Sequence, residues 1–251
     1  MDIVDGYLAR IGVTACPKID RNGLATLQAA HLIAVPFENL DVHAGRDVSC
    51  DAERAVAKVV ERRRGGWCFE LNGAFAVLLE HLGFTVRRLA ATVLLGEPTP
   101  IPDHLTLVVT VDRPYLVDVG FGSGTPRRPL PLDDPGPHHG GSGLYRFTTD
   151  GGQRVLERRR RRDGTWERCF RFDDAPVTLA DLEPSARHLA TTDNRFTASP
   201  FATRALDDAA GRVTWNDGRL LIRRTGSELV TPTPDDRATL ERWFGIVVGD
   251  G

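Results

Sequence analysis

The fold of this chain is decided by residues 64–72, which read RGGWCFELN. This stretch joins a Gly-Gly hinge to the start of an amphipathic helix and places Cys68 in the first helical turn. The N-terminus of a helix carries partial positive charge because its first N–H groups are unpaired. That charge stabilises a thiolate, which is the nucleophilic form of cysteine. The stretch therefore predicts a reactive thiol at a helix N-terminus.

The helix that contains Cys68 has apolar residues at spacings of three and four, which is typical of one buried face. The apolar positions are Leu71, Phe75, Leu78, Leu79 and Leu82. Gly83 follows them as a C-cap. Cys68 lies seven residues before Phe75 and shares this face, so we expect its side chain to point towards packed protein or a cleft.

Two further residues complete a candidate nucleophilic site. His104 begins an apolar run, and Asp118 lies inside another, between Val117 and Val119. A buried carboxylate costs several kcal/mol unless it is paired, and the imidazole N–H of His104 is a suitable partner. The chain order of cysteine, histidine and carboxylate is one that a thiol acyl-transfer enzyme can use. A packed cysteine with an ordinary core histidine remains the alternative at this point.

The strand pattern does not by itself bring His104 to Asp118. If residues 112–114 form a tight turn, Asp118 is expected opposite Leu107 or Val108. His104 would then lie three or four residues further along the strand, roughly 10–13 Å away at about 3.3 Å per residue. We therefore expect a bulge, a bend or a slipped register if the two side chains are bonded.

Composition narrows the class of protein. The chain has 251 residues, of which 41% are hydrophobic and 26% charged, as in ordinary globular proteins. A net charge of −2 predicts no nucleic-acid or anionic-membrane partner.

The first residues lack the pattern of a signal peptide, and no apolar run approaches the roughly 18 residues of a membrane span, so we expect a cytoplasmic location. The four cysteines lack metal-ligand spacing, and we expect no metal.

Hydrophobic periodicity divides the chain into three regions and predicts an α+β fold. Residues 1–84 are predicted to be mainly helical and carry the candidate nucleophile, with helices over residues 24–32 and 51–62. Residues 85–183 alternate with a period of two, which predicts a small barrel or a curled sheet that carries His104 and Asp118. Residues 184–251 are mixed, with a predicted loop over 191–200, a strand over 219–223 and a helix over 235–244.

Two charged features outside these regions allow more than one interpretation. Residues 158–162 are five consecutive arginines at the entrance to a predicted hairpin. An anion-binding patch is one interpretation; a solvated edge strand that resists pairing is favoured, because the net charge is negative and no aromatic residues are interleaved. His138 and His139 lie in a Gly- and Pro-rich segment without a third ligand, and we expect a surface loop.

Four ordered motifs resemble the arylamine N-acetyltransferase family, which includes the ansamycin amide synthases. They are RGGWCFELN at 64–72, VPFENLDVH at 35–43, HLTLVV at 104–109 and LVDVGFG at 116–122. Residues 194–201 and 211–215 match the family's third-domain pattern more loosely. The resemblance covers most of the chain from about residue 30.

The resemblance implies a helical bundle, a β-barrel and an α/β lid around a papain-like Cys-His-Asp site. Cys68 would take the acetyl group of acetyl-CoA in a ping-pong reaction, and an arylamine, hydrazine or arylhydroxylamine would then accept it. His104 would act as the base, and Asp118 would orient it. The backbone N–H of Cys68 is the candidate oxyanion donor. No permanently bound cofactor is implied, since acetyl-CoA is a co-substrate.

Further roles follow from the resemblance. An apolar slot for a flat aromatic acceptor would be lined by Phe37, Phe121 and Phe196. The turn that would approach the CoA pantetheine or phosphates consists of Gly122, Ser123, Gly124 and Thr125. Arg64 would pair with Glu38 and tie the loop before the nucleophile to residues 36–37.

Residues 186–189, Ala-Arg-His-Leu, depart from an Asn-Trp-Tyr-like element that is frequent in the family. This leaves a second donor open, namely a carrier-bound polyketide, as used by the amide synthases that close ansamycin macrolactams. A transglutaminase- or papain-like thiol hydrolase is less favoured, and a scaffold protein without activity is the least favoured interpretation.

Overall fold

The structure, a computed structural model, describes residues 2–48, 50–206 and 211–247. Its strands form an antiparallel sheet of eight strands and another of five, and helices precede and follow the larger sheet in the chain. The predicted α+β class is confirmed. None of the helices in the described parts combines the length and the apolar character needed to cross a bilayer.

The N-terminal region is mainly helical. Its elements are α1 (Ile3–Ile11), α2 (Arg21–Ala34), β1 (Phe37–Glu38), α3 (Leu40–His43), α4 (Ala52–Val60) and α5 (Cys68–His81). Helix α2 begins where the Asp20 side chain accepts a hydrogen bond from the Gly23 N–H, and it ends before Pro36, as the sequence predicts. The sequence offers Asp51 or Ser49 as the cap of α4; Asp51 caps it, and Ser49 lies outside the described residues.

The eight-stranded sheet curls into a nearly closed barrel. Its strands are β2 (Thr85–Val93), β3 (His104–Thr110), β4 (Pro114–Val117), β5 (Leu130–Pro131), β6 (His138–His139), β7 (Leu144–Asp150), β8 (Gln153–Arg159) and β9 (Trp166–Pro176). They are paired in the order β5-β4-β3-β2-β9-β8-β7-β6. The Arg127 N–H donates to the Gly140 carbonyl at 2.6 Å. This hydrogen bond joins the segment before edge strand β5 to the segment after the other edge strand, β6.

Two expectations for this region are wrong. His138 and His139 form the edge strand β6, which pairs with β7, and are not in a loop. The arginines of residues 158–162 do not lie on an edge strand, because β8 is bonded to β7 on one side and to β9 on the other. The alternation of residues within β8 does not reveal how many neighbours the strand has.

The C-terminal region builds the smaller sheet. Its elements are α6 (Leu179–Thr191), α7 (Arg195–Ala198), β10 (Phe201–Ala205), β11 (Arg212–Asn216), β12 (Arg219–Arg224), β13 (Ser227–Pro232) and α8 (Asp236–Phe244). The predicted loop over 191–200 contains the short helix α7, because Asn194 caps it at the Phe196 N–H. Helix α6 spans residues 183 and 184, between which the sequence predicts a boundary, and Thr178 caps its start.

The N-terminal region contributes one strand to the smaller sheet. Strand β1 pairs antiparallel with β10, and Phe37 lies opposite Thr203. The Glu38 N–H donates to the Gly66 carbonyl at 2.9 Å on the other side of β1. A side chain at Gly65 would collide with the Pro36 carbonyl oxygen, so the hinge requires glycine there. This arrangement packs the chain just before Cys68 against the C-terminal sheet.

Candidate active site

Cys68 is the first residue of α5, as predicted for the nucleophile. Its N–H has no acceptor within the helix in that position, and its Sγ lies 3.7 Å from the Asp103 carbonyl oxygen. The Glu70 side chain accepts a hydrogen bond from the Trp67 N–H at 3.2 Å and so fixes the start of the helix. The thiol is 2% exposed, yet it lines a cleft.

His104 and Asp118 are in direct contact. His104 Nε2 lies 2.6 Å from Asp118 Oδ2, and both side chains are buried. The cause is the register of the β3–β4 hairpin, in which Val117 pairs with Leu107. Asp118 is therefore next to Thr106, only two residues from His104 on the same face of the strand.

Of the three predicted ways to bring His104 and Asp118 together, a bulge, a bend and a slipped register, the structure shows the slipped register. Asp118 is predicted opposite Leu107 or Val108. In the observed register it lies opposite Thr106, which is one residue nearer to His104. The β3–β4 pairing contains no bulge. Diagonal neighbours of an antiparallel pair are about 7–8 Å apart, which two polar side chains can span.

The second oxygen of the Asp118 carboxylate is also bonded. Asp118 Oδ1 accepts from Asn72 Nδ2 at 3.1 Å and from the Gly120 N–H at 2.8 Å. Asn72 in turn donates to the Leu105 carbonyl at 2.6 Å and accepts from the Val119 N–H at 2.9 Å. The fully buried amide thus connects the nucleophile helix to the segments that carry the histidine and the aspartate.

Asn72 ends the RGGWCFELN motif, but the sequence does not show its role. The available signal was its position four residues after Cys68, because residues four apart lie on the same helix face. A polar amide on that apolar face needs partners, and the partners are backbone groups that the primary sequence does not place nearby.

The environment of His104 favours its protonated form. Burial alone would lower the pKa of His104, but the Asp118 carboxylate and then the Cys68 thiol raise it to about 10. Since Nε2 faces Asp118, Nδ1 is the ring nitrogen available to Cys68. The rings of Phe121 and Phe170 lie 5.2 and 5.0 Å from the imidazole centroid and cover it.

Close packing at Gly120 sets the distance between the barrel and the nucleophile. A Cβ on Gly120 would lie 2.7 Å from Cys68 Cα and 2.9 Å from Asn72 Nδ2. Real Cβ atoms essentially never approach that closely. Glycine at this position therefore allows the segment after Asp118 to lie against α5.

The cleft beside Cys68 has a volume of about 400 Å³ and mainly apolar walls. Cys68 and His104 line it, as do all three predicted aromatic residues, Phe37, Phe121 and Phe196. Phe201 is a fourth aromatic residue of the wall, and its ring centroid lies 5.5 Å from that of Phe37. Phe201 ends the segment 194–201, but the sequence does not show its role in the wall of the cleft.

The predicted CoA turn reaches the cleft only in part. Gly122 and Ser123 line the cleft. Gly124 packs under the Phe121 ring, and Thr125 has no exposed surface. The Thr125 carbonyl accepts from the Ser142 hydroxyl at 3.1 Å, so this residue faces the protein. Gly124 and Thr125 therefore do not line the cleft, and the contacts of this turn with CoA stay a prediction.

Arg64 and Glu38 form part of a larger buried charge network. Arg64 Nη2 lies 2.7 Å from Glu38 Oε1 and 3.1 Å from Asp41 Oδ1. Lys58 Nζ lies 2.7 Å from Asp41 Oδ2 and 2.8 Å from Glu70 Oε1. Burial would raise the pKa of Asp41, but Lys58 and Arg64 hold it at about 2. The network ends at Glu70, which caps α5, so it stabilises the helix start that carries Cys68.

Sequence reasoning missed Lys58, Asp41 and Glu70, because their pairing joins three separate helices. In the described residues, no group of three or more His, Cys, Asp or Glu side chains is arranged to hold a metal ion.

Comparison with known proteins gives a consistent result. The family model described as N-acetyltransferase matches residues 20–250. The arylamine N-acetyltransferase of Mycolicibacterium smegmatis is 35% identical over 230 residues, which are 88% of this chain and 82% of that protein. The arylamine N-acetyltransferase of Mycobacterium tuberculosis is 33% identical over 265 residues, with 97% and 89% coverage.

Solved structures agree over the whole fold. The arylamine N-acetyltransferase of Salmonella typhimurium superposes with a TM-score of 0.92 at 29% identity, covering 100% of this chain and 93% of that one. The Mycobacterium marinum arylamine N-acetyltransferase, solved in complex with CoA, gives a TM-score of 0.88 at 34% identity, covering 97% and 92%.

Proposed function

The chain belongs to the arylamine N-acetyltransferase family, and from that premise we propose that it transfers an acetyl group from acetyl-CoA to an arylamine or hydrazine. The observation that carries the proposal is the 2.6 Å contact between His104 and Asp118 in a cleft that is also lined by Cys68. A thiol, an imidazole and a carboxylate in this order form an activated nucleophile.

In the first half-reaction, the proton of the Cys68 thiol resides on His104, as its raised pKa favours, and the sulfur attacks the thioester carbonyl of acetyl-CoA. A bond forms between Sγ and the acetyl carbon, and the bond from that carbon to the CoA sulfur breaks. The departing CoA thiolate takes the proton from His104. The Cys68 N–H at the start of α5 is the donor that we assign to the transient oxyanion, because a fixed backbone donor needs no reorganisation.

In the second half-reaction, the amine attacks the acetyl-Cys68 carbonyl and loses a proton to His104. The carbon–sulfur bond breaks, and the sulfur leaves as a thiolate beside the imidazolium. Asp118 holds Nε2 so that Nδ1 faces the reacting atoms, and its charge stabilises the imidazolium. The complete hydrogen bonding of Asp118 supports this role, because a carboxylate with all its partners in place keeps one orientation.

The acceptor is proposed to bind as a flat ring between Phe37, Phe121 and Phe196. The apolar cleft walls support this assignment, since aromatic pairs prefer edge-to-face or offset contacts at ring distances of about 4.5–7 Å. We assign Arg64 and Glu38 a supporting role, because they hold the segment that carries Phe37 next to the hinge before Cys68. The division into units of residues 1–84, 85–183 and 184–251 is part of the same proposal.

The test is an intact-mass measurement after mixing the protein with acetyl-CoA and no amine. We expect a gain of one acetyl group that is absent in Cys68→Ser and is lost when an arylamine is added. Turnover of acetyl-CoA without amine would indicate a thiol hydrolase. Failure to acetylate a thiol that iodoacetamide still alkylates would contradict acetyl-CoA as donor and favour a carrier-bound acyl group.

A further inference from the structure

A second cavity of about 690 Å³ adjoins the cleft and shares Ser123, Arg212 and Arg223 with it. Its charged lining consists of the arginines of residues 158–162 together with Arg127, Arg212 and Arg223, and of the carboxylates Glu167 and Glu228. We call this cavity the arginine groove. Eight guanidinium groups against two carboxylates leave it strongly positive in a chain whose net charge is −2.

The two carboxylates neutralise only part of that charge. Glu167 lies 2.6 Å from Arg158 and 3.6 Å from Arg160, and Glu228 lies 2.7 Å from Arg223. Arg212 donates to the Thr203 hydroxyl at 3.1 Å, and no carboxylate of the described residues forms an ion pair with it. Burial and the neighbouring charges of Arg127, Arg158 and Arg223 lower the pKa of Arg212 to about 10.

Protection against edge pairing does not explain these arginines. Strand β8 has a neighbour on each side, and the later arginines of the run lie in the turn that leads to β9. Like charges held together in one cavity repel one another, which lowers stability. An anion that enters the groove removes that repulsion.

The two adjoining cavities, which share three lining residues, differ in polarity. The end at Cys68 is apolar and aromatic, and the other end is lined by arginine. Arg158 Nη1 donates to the Ser123 carbonyl at 3.3 Å, so the groove is fastened to the glycine turn that lines the cleft. A ligand that fits has a neutral thioester arm at one end and several phosphates at the other. Arginine matches phosphate because its planar fork donates two parallel hydrogen bonds.

We propose that the arginine groove binds the phosphate groups of the acyl-CoA donor while its pantetheine arm passes Ser123 towards Cys68. This inference rests on the proposed function and adds the residues that recognise the donor. Arg212 and Arg223 are the principal contacts, because they line both cavities. Arg158 completes the phosphate site from the end of β8.

The test compares two acetyl donors that share a thioester but differ in phosphate content. Acetyl-CoA is compared with S-acetyl-N-acetylcysteamine, which has no phosphate. In Arg223→Gln and in Arg158→Gln we expect kcat/KM for acetyl-CoA to fall about threefold to tenfold, mainly through KM, as for the loss of one partly exposed ion pair. Acetylation by the phosphate-free donor should stay unchanged. Arg223→Lys should restore part of the loss, because lysine still provides a point charge.

Arg224→Gln is the matched control. Arg224 is the next residue of β12, so it points to the opposite face of the sheet, and it lines neither cavity. The control should behave as the wild type with both donors. An equal loss with both donors in Arg223→Gln would overturn the proposal, since the effect would then come from the fold or the thiol. An unchanged KM for acetyl-CoA in both groove variants would overturn it as well.

A binding measurement separates this proposal from the proposed function. Adenosine 3′,5′-bisphosphate, titrated calorimetrically, should bind the wild type and bind Arg223→Gln about threefold to tenfold more weakly. This result would support the groove even if acetyl-CoA did not acetylate Cys68. Equal binding to both proteins would overturn it and would leave an acidic carrier protein as the alternative partner for these arginines.

Discussion

The Asp118 carboxylate is fully buried and receives hydrogen bonds from His104, Asn72 and the Gly120 N–H. In the arginine groove, by contrast, eight guanidinium groups face two carboxylates. The catalytic charge is compensated by the protein itself, whereas the groove keeps an excess of positive charge. A compensated buried charge is rigid and orients a reacting group, while an uncompensated charge is available to a ligand. The contrast predicts that substitutions around Asp118 have large effects on activity or stability. Substitutions in the arginine groove should have modest effects that depend on salt.

The largest effect is expected for Asp118→Asn. The amide keeps the size of the side chain but removes the charge that stabilises the imidazolium and can reverse the His104 tautomer. We expect kcat for acetylation to fall about 10³- to 10⁴-fold, as for the loss of a triad carboxylate. Stopped-flow acetylation with circular dichroism as a fold control measures it. A loss below tenfold would show that Asp118 acts only in packing.

Breaking the buried ion network is expected to have the second largest effect, a decrease in the free energy of unfolding. Lys58→Met leaves Asp41 and Glu70 without their shared cation, and a buried ion pair broken on one side costs about 3–5 kcal/mol. Urea unfolding measures the change. The matched control is Arg54→Met on the same helix, whose ion pair with Asp47 is exposed and should contribute less than about 1 kcal/mol. Equal effects of the two substitutions would contradict the network.

Asn72→Ala tests the link between the nucleophile helix and the barrel. It removes one donor from Asp118 and leaves the Leu105 carbonyl and the Val119 N–H without this partner. We expect a loss of about 2–4 kcal/mol in unfolding free energy and a fall in kcat, since buried groups become unsatisfied. Asn216→Ala, which breaks an exposed contact with Ser199, is the control. A variant that is less stable but fully active would show that Asn72 does not position Asp118.

The protonation of His104 can be followed directly by NMR. In the free protein its ring should titrate near pH 10, because Asp118 and Cys68 raise the pKa. Alkylation of Cys68 removes one of these causes and should lower the pKa; His104→Gln assigns the signal. An unchanged pKa after alkylation would mean that the thiol does not interact with the ring.

The same shift has a consequence for stability. A pKa raised above the unfolded value of about 6.5 stabilises the fold fully below that pH, and the stabilisation is lost as pH rises through the folded pKa. In the alkylated protein the free energy of unfolding should therefore decrease above about pH 6.5, by up to about 1.4 kcal/mol per pH unit. In alkylated Asp118→Asn the decrease should be smaller, because the main partner charge is gone. Urea unfolding across this pH range measures both.

The smallest effect is the dependence of donor binding on salt. Between about 0.05 and 0.5 M salt the Debye length falls severalfold, so KM for acetyl-CoA should rise about twofold to fivefold. KM for the phosphate-free thioester should stay constant over the same range, since its binding involves only the apolar cleft. A parallel rise for both donors would remove the distinction between the two regions.

Much of the candidate site could be predicted from local sequence, because its components are local. The Gly-Gly hinge and the apolar period predict where α5 begins, and α5 does begin at Cys68. Phe37, Phe121 and Phe196 were expected to line one slot, and all three line the cleft. The role of Asn72 and the partners of Lys58 could not be predicted, since each depends on elements that are distant in the chain.

The structural role of the arginines of residues 158–162 could not be predicted from local sequence either. Their charge was evident in the sequence, but their interpretation as an edge strand was wrong. Arg158 and Arg159 lie in β8, between β7 and β9, and the later arginines lie in the turn to β9. Folding brings Arg212 and Arg223 from the other sheet beside them. A charge run has no defined role until its neighbours are known.

By itself, the sequence determined the class of fold, the helix that begins at the nucleophile and the chain order of Cys68, His104 and Asp118, because periodicity, capping and turn residues act over a few positions. Only the tertiary structure decided that Asp118 lies next to Thr106 and so reaches His104, that Gly122 and Ser123 line the cleft while Gly124 and Thr125 do not, and that arginines from two sheets form one groove. The physical reason is that strand register and the meeting of distant segments depend on long-range packing, to which local patterns contribute no information.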